Sequence, residues 1–154
     1  EILPDIVVFG KKTQVSGFMS NKKMNNIFNK KDVNRLEVTW NSNTLDMIRS
    51  KFIIKAYKEE NILENVIGRG KQIKKYLSNI PQIERLRTSG LIVGFDLKDS
   101  KLRNQFIQDC RAKGLICNST GIKSVRLRPN LAISSEDILM GCEIIKEVLT
   151  ENRK

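Results

Sequence analysis

Histidine is absent from the 154 residues. Its absence excludes histidine-ligated metal centres and any Ser-His or Cys-His catalytic pair built within the chain. Cysteine is scarce. Cys110, Cys117 and Cys142 are odd in number, far apart and without a Cys-x-x-Cys pair, which supports neither a disulfide framework nor a zinc ribbon. Cys110 and Cys142 fall on apolar helical faces, where a thiol reads as a small buried hydrophobe. No apolar run approaches the ~20 residues that a membrane helix needs, so a membrane-spanning protein is not expected. Acidic residues are the minority charge, 17 Asp+Glu against 28 Lys+Arg, which leaves a formal net charge of +11. Such an excess fits either a nucleic-acid partner or a solvated, lysine-rich surface. The lysines are dispersed and no aromatic platform accompanies them. The pairs Lys22-Lys23, Lys30-Lys31 and Lys74-Lys75 are too short for a polybasic tract, which favours the surface reading. What is present, 40% hydrophobic and 29% charged residues, excludes a disordered or fibrous chain. The sequence opens on Glu1 rather than Met, the expectation being a processed product or a piece of a longer protein. No signal-peptide, transit-peptide or lipidation pattern is visible, and a reducing cytoplasm is the expected setting.

Along the chain, Ile6 to Phe9 form a continuous apolar run closed by Gly10, the pattern of a strand buried on both faces of a parallel sheet. A second strand-like piece runs from Val15 to Met19. Residues 20–35 are rich in Asn and Lys and read as a polar surface connection. From Thr44 the period becomes helical, with Leu45, Ile48, Phe52 and Ala56 on one face. Leu63, Val66, Ile67, Ile73, Leu77 and Ile80 mark a second helical stretch, stopped near Pro81. Whether the two stretches form one helix broken around Glu59-Glu60-Asn61 is left open by composition. Leu91 to Leu97 is again strand-like, and Leu102, Phe106 and Cys110 mark a helix ending at Gly114. Short strands are expected at Leu115–Cys117 and Ser124–Leu127, with a turn at Gly121. Ser134 and Asp137 resemble a capping box, flanked by the staple pair Ile133 and Ile138, ahead of a helix with Ile138, Cys142, Ile145 and Leu149 on its buried stripe. The expected order is β-β-α-α-β-α-β-β-α, an α/β or α+β pattern without repeats.

Three segments invite a chemical reading. Gly68-Arg69-Gly70-Lys71 suggests a phosphate loop, yet it interrupts a helical pattern instead of joining a strand to a helix N-terminus, and it lacks the full spacing. Lys11 and Lys12 follow an apolar strand at the position where open α/β sheets place ligands. An amine held against apolar surface there loses basicity and gains nucleophilicity; a plain loop pair is the competing reading. In Ser124-Val-Arg-Leu-Arg-Pro129, strand alternation puts Arg126 and Arg128 on one face, either as a clamp for a carboxylate or as two exposed edge arginines.

Together these residues resemble a known family. The stretch Pro4-Asp-Ile-Val-Val-Phe-Gly-Lys-Lys-Thr-Gln-Val-Ser-Gly17 is similar to the cofactor-lysine region of the class III, pyridoxal-phosphate-dependent aminotransferases, in particular those acting on the terminal amine of lysine. The likeness continues through Thr39-Trp40, Asn43 to Arg49 and Ser124 to Pro129. It departs at Asn41-Ser42 and at Arg87-Thr-Ser-Gly90, where relatives carry more glycine.

The resemblance implies an α/β fold, the C-terminal part of a fold-type I transferase. Residues 1–58 would close the large cofactor-binding domain and residues 59–154 would form the small C-terminal α/β domain, with the N-terminal half of the enzyme lying outside this sequence. It implies Lys12 as the lysine that holds the aldehyde of pyridoxal 5'-phosphate, with Lys11 flanking it. Thr39 would donate to the cofactor phosphate across a homodimer interface, and Arg126 would bind the substrate carboxylate. Gln14 is expected near the cofactor without an assigned role. The implied reaction moves the terminal amino group of L-lysine to 2-oxoglutarate. Ornithine or 4-aminobutyrate as donor is the alternative within the family, and a basic nucleic-acid-binding domain the alternative outside it.

Overall fold

The computed structural model describes residues 3–24, 39 and 43–151. The chain divides into two compact units, Glu1–Glu59 and Glu60–Lys154.

In the first unit, β1 (Ile6–Phe9) pairs antiparallel with β2 (Gly17–Ser20), Ile6 opposite Ser20 and Phe9 opposite Gly17. The expected doubly buried parallel strand is therefore corrected: β1 belongs to a hairpin, and Val8 is 80% exposed. A run of four apolar residues reports hydrophobicity, not the partner or the direction of pairing. Strand β2 begins two residues later than expected, at Gly17, because Val15 and Ser16 belong to the connection. At the open end of the hairpin, Asn21 donates through its backbone N–H to Asp5 O (3.1 Å) and through Nδ2 to Asp5 Oδ1 (2.5 Å). Helix α1 (Thr44–Glu59) starts at Asn43, whose Oδ1 accepts from the backbone of Leu45 at 3.1 Å and of Asp46 at 3.4 Å, satisfying donors that a helix start leaves unpaired. Its expected stripe is not buried within the described residues. Leu45, Ile48 and Phe52 are all exposed. The connection foreseen over residues 20–35 contains a short 3₁₀ turn at Lys22–Met24; its part from residue 25 onward lies outside the described residues.

The second unit is a two-layer sandwich. Four antiparallel strands, β3 (Glu84–Ser89), β4 (Ile92–Asp96), β5 (Asn118–Thr120) and β6 (Ser124–Leu127), lie in the order β3-β4-β6-β5. Helices α2 (Ile62–Leu77), α3 (Ser100–Ala112) and α4 (Ser135–Glu151) cover one face. Alternation sends Val93, Phe95, Leu97, Val125 and Leu127 into the core, where they meet Ile73 and Leu77, Phe106 and Cys110, and Ile138, Ile145 and Val148. Phe95 and Phe106 cross edge to face with centroids 6.0 Å apart.

Local signals account for the element ends. Asn61 takes a left-handed conformation (φ 49°) and separates α1 from α2, so the two helical stretches are distinct helices. Asp99 caps α3, its carboxylate accepting from Leu102 N at 2.8 Å. At the other end Gly114 (φ 89°) donates to Arg111 O and Leu115 donates to Cys110 O, the paired closure that a positive-φ residue permits. Ser134 Oγ accepts from Asp137 N at 3.0 Å, while its hydroxyl donates to the Asp137 carboxylate at 2.9 Å.

Three expectations for this unit are corrected. Strand β3 was not foreseen, because Glu84-Arg-Leu-Arg-Thr-Ser89 carries two apolar-side positions, Leu86 and Thr88, among charged ones, as edge strands do. Strand β5 lies at Asn118–Thr120 and not at Leu115–Cys117, since the closure of α3 consumes Leu115 and turns the chain before pairing begins. Helix α2 keeps most of its expected stripe, with Ile73, Leu77 and, just past its end, Ile80 buried and Val66 packed against the core, but Leu63 and Ile67 are exposed and Ile62 and Gly70 face inward instead. Gly70 makes the closest approach. A Cβ on Gly70 would sit 2.6 Å from Gly90 O, so the bare backbone of Gly70 lets the helix lie against the β3–β4 turn. Gly68-Arg69-Gly70-Lys71 is thus a packing contact in mid-helix, not a phosphate loop.

Candidate active site

Lys12 lies in a one-turn 3₁₀ segment, Lys11–Thr13, that begins the connection from β1 to β2. The turn is set between two left-handed residues, Lys11 (φ 62°) and Gln14 (φ 64°). Neither is glycine, so each costs on the order of 1 kcal/mol and must be held by its surroundings. Part of the hold is visible. Gln14 donates to Lys11 O through its backbone N–H (3.2 Å) and Nε2 (3.4 Å), and Thr13 Oγ1 donates to Val15 O at 2.7 Å. Gly10 and Ser16 close the neck of the loop, where a Cβ on Gly10 would come within 2.6 Å of Ser16 Oγ. Strained non-glycine backbone directly after a strand is the kind of feature that concentrates at functional sites. Gln14 therefore has a visible role, bracing the turn that carries Lys12.

Thr39 stands on an exposed turn in the same unit. Trp40, Asn41 and Ser42, noted in the sequence, lie outside the described residues. Arg126 belongs to the second unit, on the sheet face opposite the core, between buried Val125 and Leu127. Its strand is central in the sheet, not an edge. Its side chain is half-buried, and its Nε is buried without an acceptor among the described residues. A desolvated guanidinium donor of this kind is completed by an anion or another acceptor. The expected same-face clamp of Arg126 with Arg128 is not formed. Strand β6 ends at Leu127 and the chain turns at Pro129, so Arg128 instead lines a cleft of about 190 Å³ on the helix side of the sheet with Ile73, Ile138 and Cys142.

The sheet face of Arg126 carries a second feature that sequence alone did not disclose. Asp96, with no solvent exposure, accepts from Ser124 Oγ (2.5 Å), Arg87 Nη2 (2.9 Å) and Arg85 Nε (2.7 Å), with Arg85 Nη2 also in contact. The Ser124 hydroxyl foremost, then Arg87 and Arg85, hold the Asp96 carboxyl well below the usual carboxylate range, outweighing the burial that would raise it. The signal available beforehand was the Leu86/Thr88 alternation, which places Arg85 and Arg87 on the outer side of β3. The cysteines are buried and free. Cys110 and Cys117, separated by six residues, share a thiol hydrogen bond that raises the Cys110 thiol and lowers that of Cys117. Burial pushes Cys142 up to about 11.

The chain belongs to the class III aminotransferases: the family described as aminotransferase class III matches residues 1–149. It is 28% identical to the L-lysine-epsilon aminotransferase of Mycobacterium tuberculosis over 97% of this chain and 35% of that protein. It is equally 28% identical to human mitochondrial 4-aminobutyrate aminotransferase, over 96% of this chain and 30% of that protein. The solved structure of lysine aminotransferase from M. tuberculosis superposes with a TM-score of 0.88, covering 98% of this chain and 36% of that one. The chain thus spans about a third of the length of the curated relatives it matches. Among the described residues no helix is long and apolar enough to cross a membrane.

Proposed function

We propose that this chain forms part of a pyridoxal-phosphate-dependent aminotransferase that moves the terminal amino group of L-lysine to 2-oxoglutarate, giving 2-aminoadipate 6-semialdehyde and glutamate. The observation that carries the reading is the match to L-lysine-epsilon aminotransferases along 97% of the chain. In this reading residues 1–58 close the large cofactor-binding domain and residues 59–154 form the small domain. Both work with the rest of such an enzyme, as a homodimer in the cytoplasm. The isolated chain is inactive and poorly soluble, because Val8, Met19, Leu45 and Phe52 are exposed together in one unit.

The donor set fits the cofactor: a primary amine for an aldehyde at Lys12, a hydroxyl for a phosphate oxygen at Thr39, and an open guanidinium for a carboxylate at Arg126. When bound, pyridoxal phosphate supplies the electron sink that stabilises negative charge at the substrate carbon bearing the amine. The protein's share is positioning and proton transfer. Lys12 would hold the cofactor through its aldehyde, and its Nζ, as a free amine, would serve as the base that takes the proton from that carbon. Thr39 donates to the phosphate of the adjoining subunit. Arg126 would fix the register of the substrate by holding its carboxylate.

Initial rates with L-lysine, L-ornithine and 4-aminobutyrate, each with 2-oxoglutarate and the complete enzyme, test the donor. The expected order puts L-lysine first. The second reading, 4-aminobutyrate as donor, is favoured by the equal identity to the human 4-aminobutyrate enzyme, and a higher kcat/KM for that amine would establish it instead.

A further inference from the structure

Arg126 does not stand alone on its sheet face. Strand register places Arg87, Gly94, Arg126 and Asn118 in one row across all four strands: Arg87 opposite Gly94, Gly94 opposite Arg126, and Asn118 opposite Arg126. Residues in such a row share a face. Two arginines therefore flank a position that has no side chain.

Arg87 is braced there. Its Nη1 donates to Arg85 O at 2.8 Å, and its Nη2 to Asp96 Oδ1 at 2.9 Å and Ser124 Oγ at 3.4 Å. These bonds engage the two terminal nitrogens and leave Nε lying over the backbone of Gly94. A Cβ built on Gly94 would be 3.6 Å from Arg87 Nη2 and 3.7 Å from Nε. Alanine would fit at that distance, whereas any bulkier side chain would fill the space between the guanidinium groups. On the far side of the gap the Nε of Arg126 is buried and lacks an acceptor among the described residues.

Charge on this face points the same way. Arg85, Arg87 and Arg126 are set against the carboxylate of Asp96, while Glu84 is taken by Lys123 at 2.8 Å. The face keeps a positive surplus, and Asp96 with Ser124 fixes its geometry before any anion arrives, which lowers the ordering cost of binding.

We propose that Arg87 and Arg126 together form a two-guanidinium seat for one carboxylate of the substrate, with Gly94 as its floor. The inference rests on the reading of Arg126 as the carboxylate-binding residue and extends it to a second residue. The carboxylate accepts from the Nε–H of Arg126 and from the Nε–H edge of Arg87, and Asp96 holds Arg87 in place without competing for Arg126.

Glutarate, a five-carbon dicarboxylate without a keto group, is the probe. It is titrated into the complete enzyme, selectively labelled with 15N-arginine, at low chloride while the arginine Nε–H resonances are followed, with circular dichroism verifying the fold of each variant. The expected result is that Arg87 and Arg126 shift together with one Kd. Arg87→Gln weakens binding about tenfold, as loss of a charge-assisted bond does, and Arg87→Lys restores part of it. Bulk at Gly94 (Gly94→Val) removes binding with both arginines retained. A shift at Arg126 with Arg87 unmoved, or an unchanged Kd in Arg87→Gln, overturns the two-arginine seat and leaves the Arg126 reading intact. No shift at either arginine overturns both.

Discussion

Two glycines that sit two residues apart in α2 have opposite roles, and a pair of substitutions separates them. At Gly68 a Cβ would meet nothing within 4 Å, so Gly68→Ala simply removes backbone freedom from the unfolded chain. The expected gain is about 0.5–1 kcal/mol. At Gly70 the same Cβ would meet the backbone of Gly90, with O at 2.6 Å, C at 2.9 Å and Cα at 3.1 Å. These are not the yielding end of a side chain, so the helix or the β3–β4 turn must move. Overpacking of this kind costs roughly 1–3 kcal/mol, which outweighs the propensity gain and leaves Gly70→Ala about 1–2 kcal/mol less stable. For a unit near 100 residues each kcal/mol shifts Tm by roughly 4–8 °C. Thermal melts by far-UV circular dichroism should therefore show Gly68→Ala rising by about 4 °C and Gly70→Ala falling by about twice that. Two rises, or a Gly70→Ala protein as stable as its parent, would refute the claim that Gly70 is present for close packing.

Two further predictions concern titratable groups. The folded-state pKa of Asp96 is depressed, so its stabilising contribution is complete above the unfolded carboxylate value of about 4 and disappears as pH falls toward the folded value. Asp96→Asn should lose about 2 kcal/mol at neutral pH, a modest figure because its arginine partners are largely exposed. Its stability should also change less than the parent's between pH 5 and 2, by urea denaturation at each pH. Parallel pH profiles would contradict this. Cys142, with its thiol at about 11, carries almost no thiolate at pH 8. Its reaction with Ellman's reagent should be roughly two orders of magnitude slower than that of an exposed thiol, and complete after urea is added. Fast labelling of Cys142 in the native protein would mean the helix layer opens.

The second unit was largely legible because its helices carry strong local signals. Gly114 and the Ser134/Asp137 pair each mark an end through bonds made within a few residues, and the structure places them as read, while Asp99 adds an N-terminal cap of the same local kind. Strand β3 escaped because an edge strand needs only a few inward apolar positions, and Leu86 and Thr88 do not stand out among Glu84, Arg85 and Arg87. The apolar run Ile6–Phe9 announced a strand but not its partner, which is the hairpin arm Gly17–Ser20. Lys12 and Arg126 are proposed from the resemblance of their flanking residues, since periodicity alone reads both as surface charge. Arg87 could not be found that way. Its proximity to Gly94 arises from pairing β3 with β4, a tertiary fact that no window of sequence contains.

The measurement that bears most directly on the account is borohydride reduction of the pyridoxal-phosphate-loaded complete enzyme, followed by peptide mass spectrometry. A pyridoxyl group on Lys12, and none in the Lys12→Ala variant, is the expected result. A label on Lys11, on another lysine, or undiminished in Lys12→Ala would contradict it.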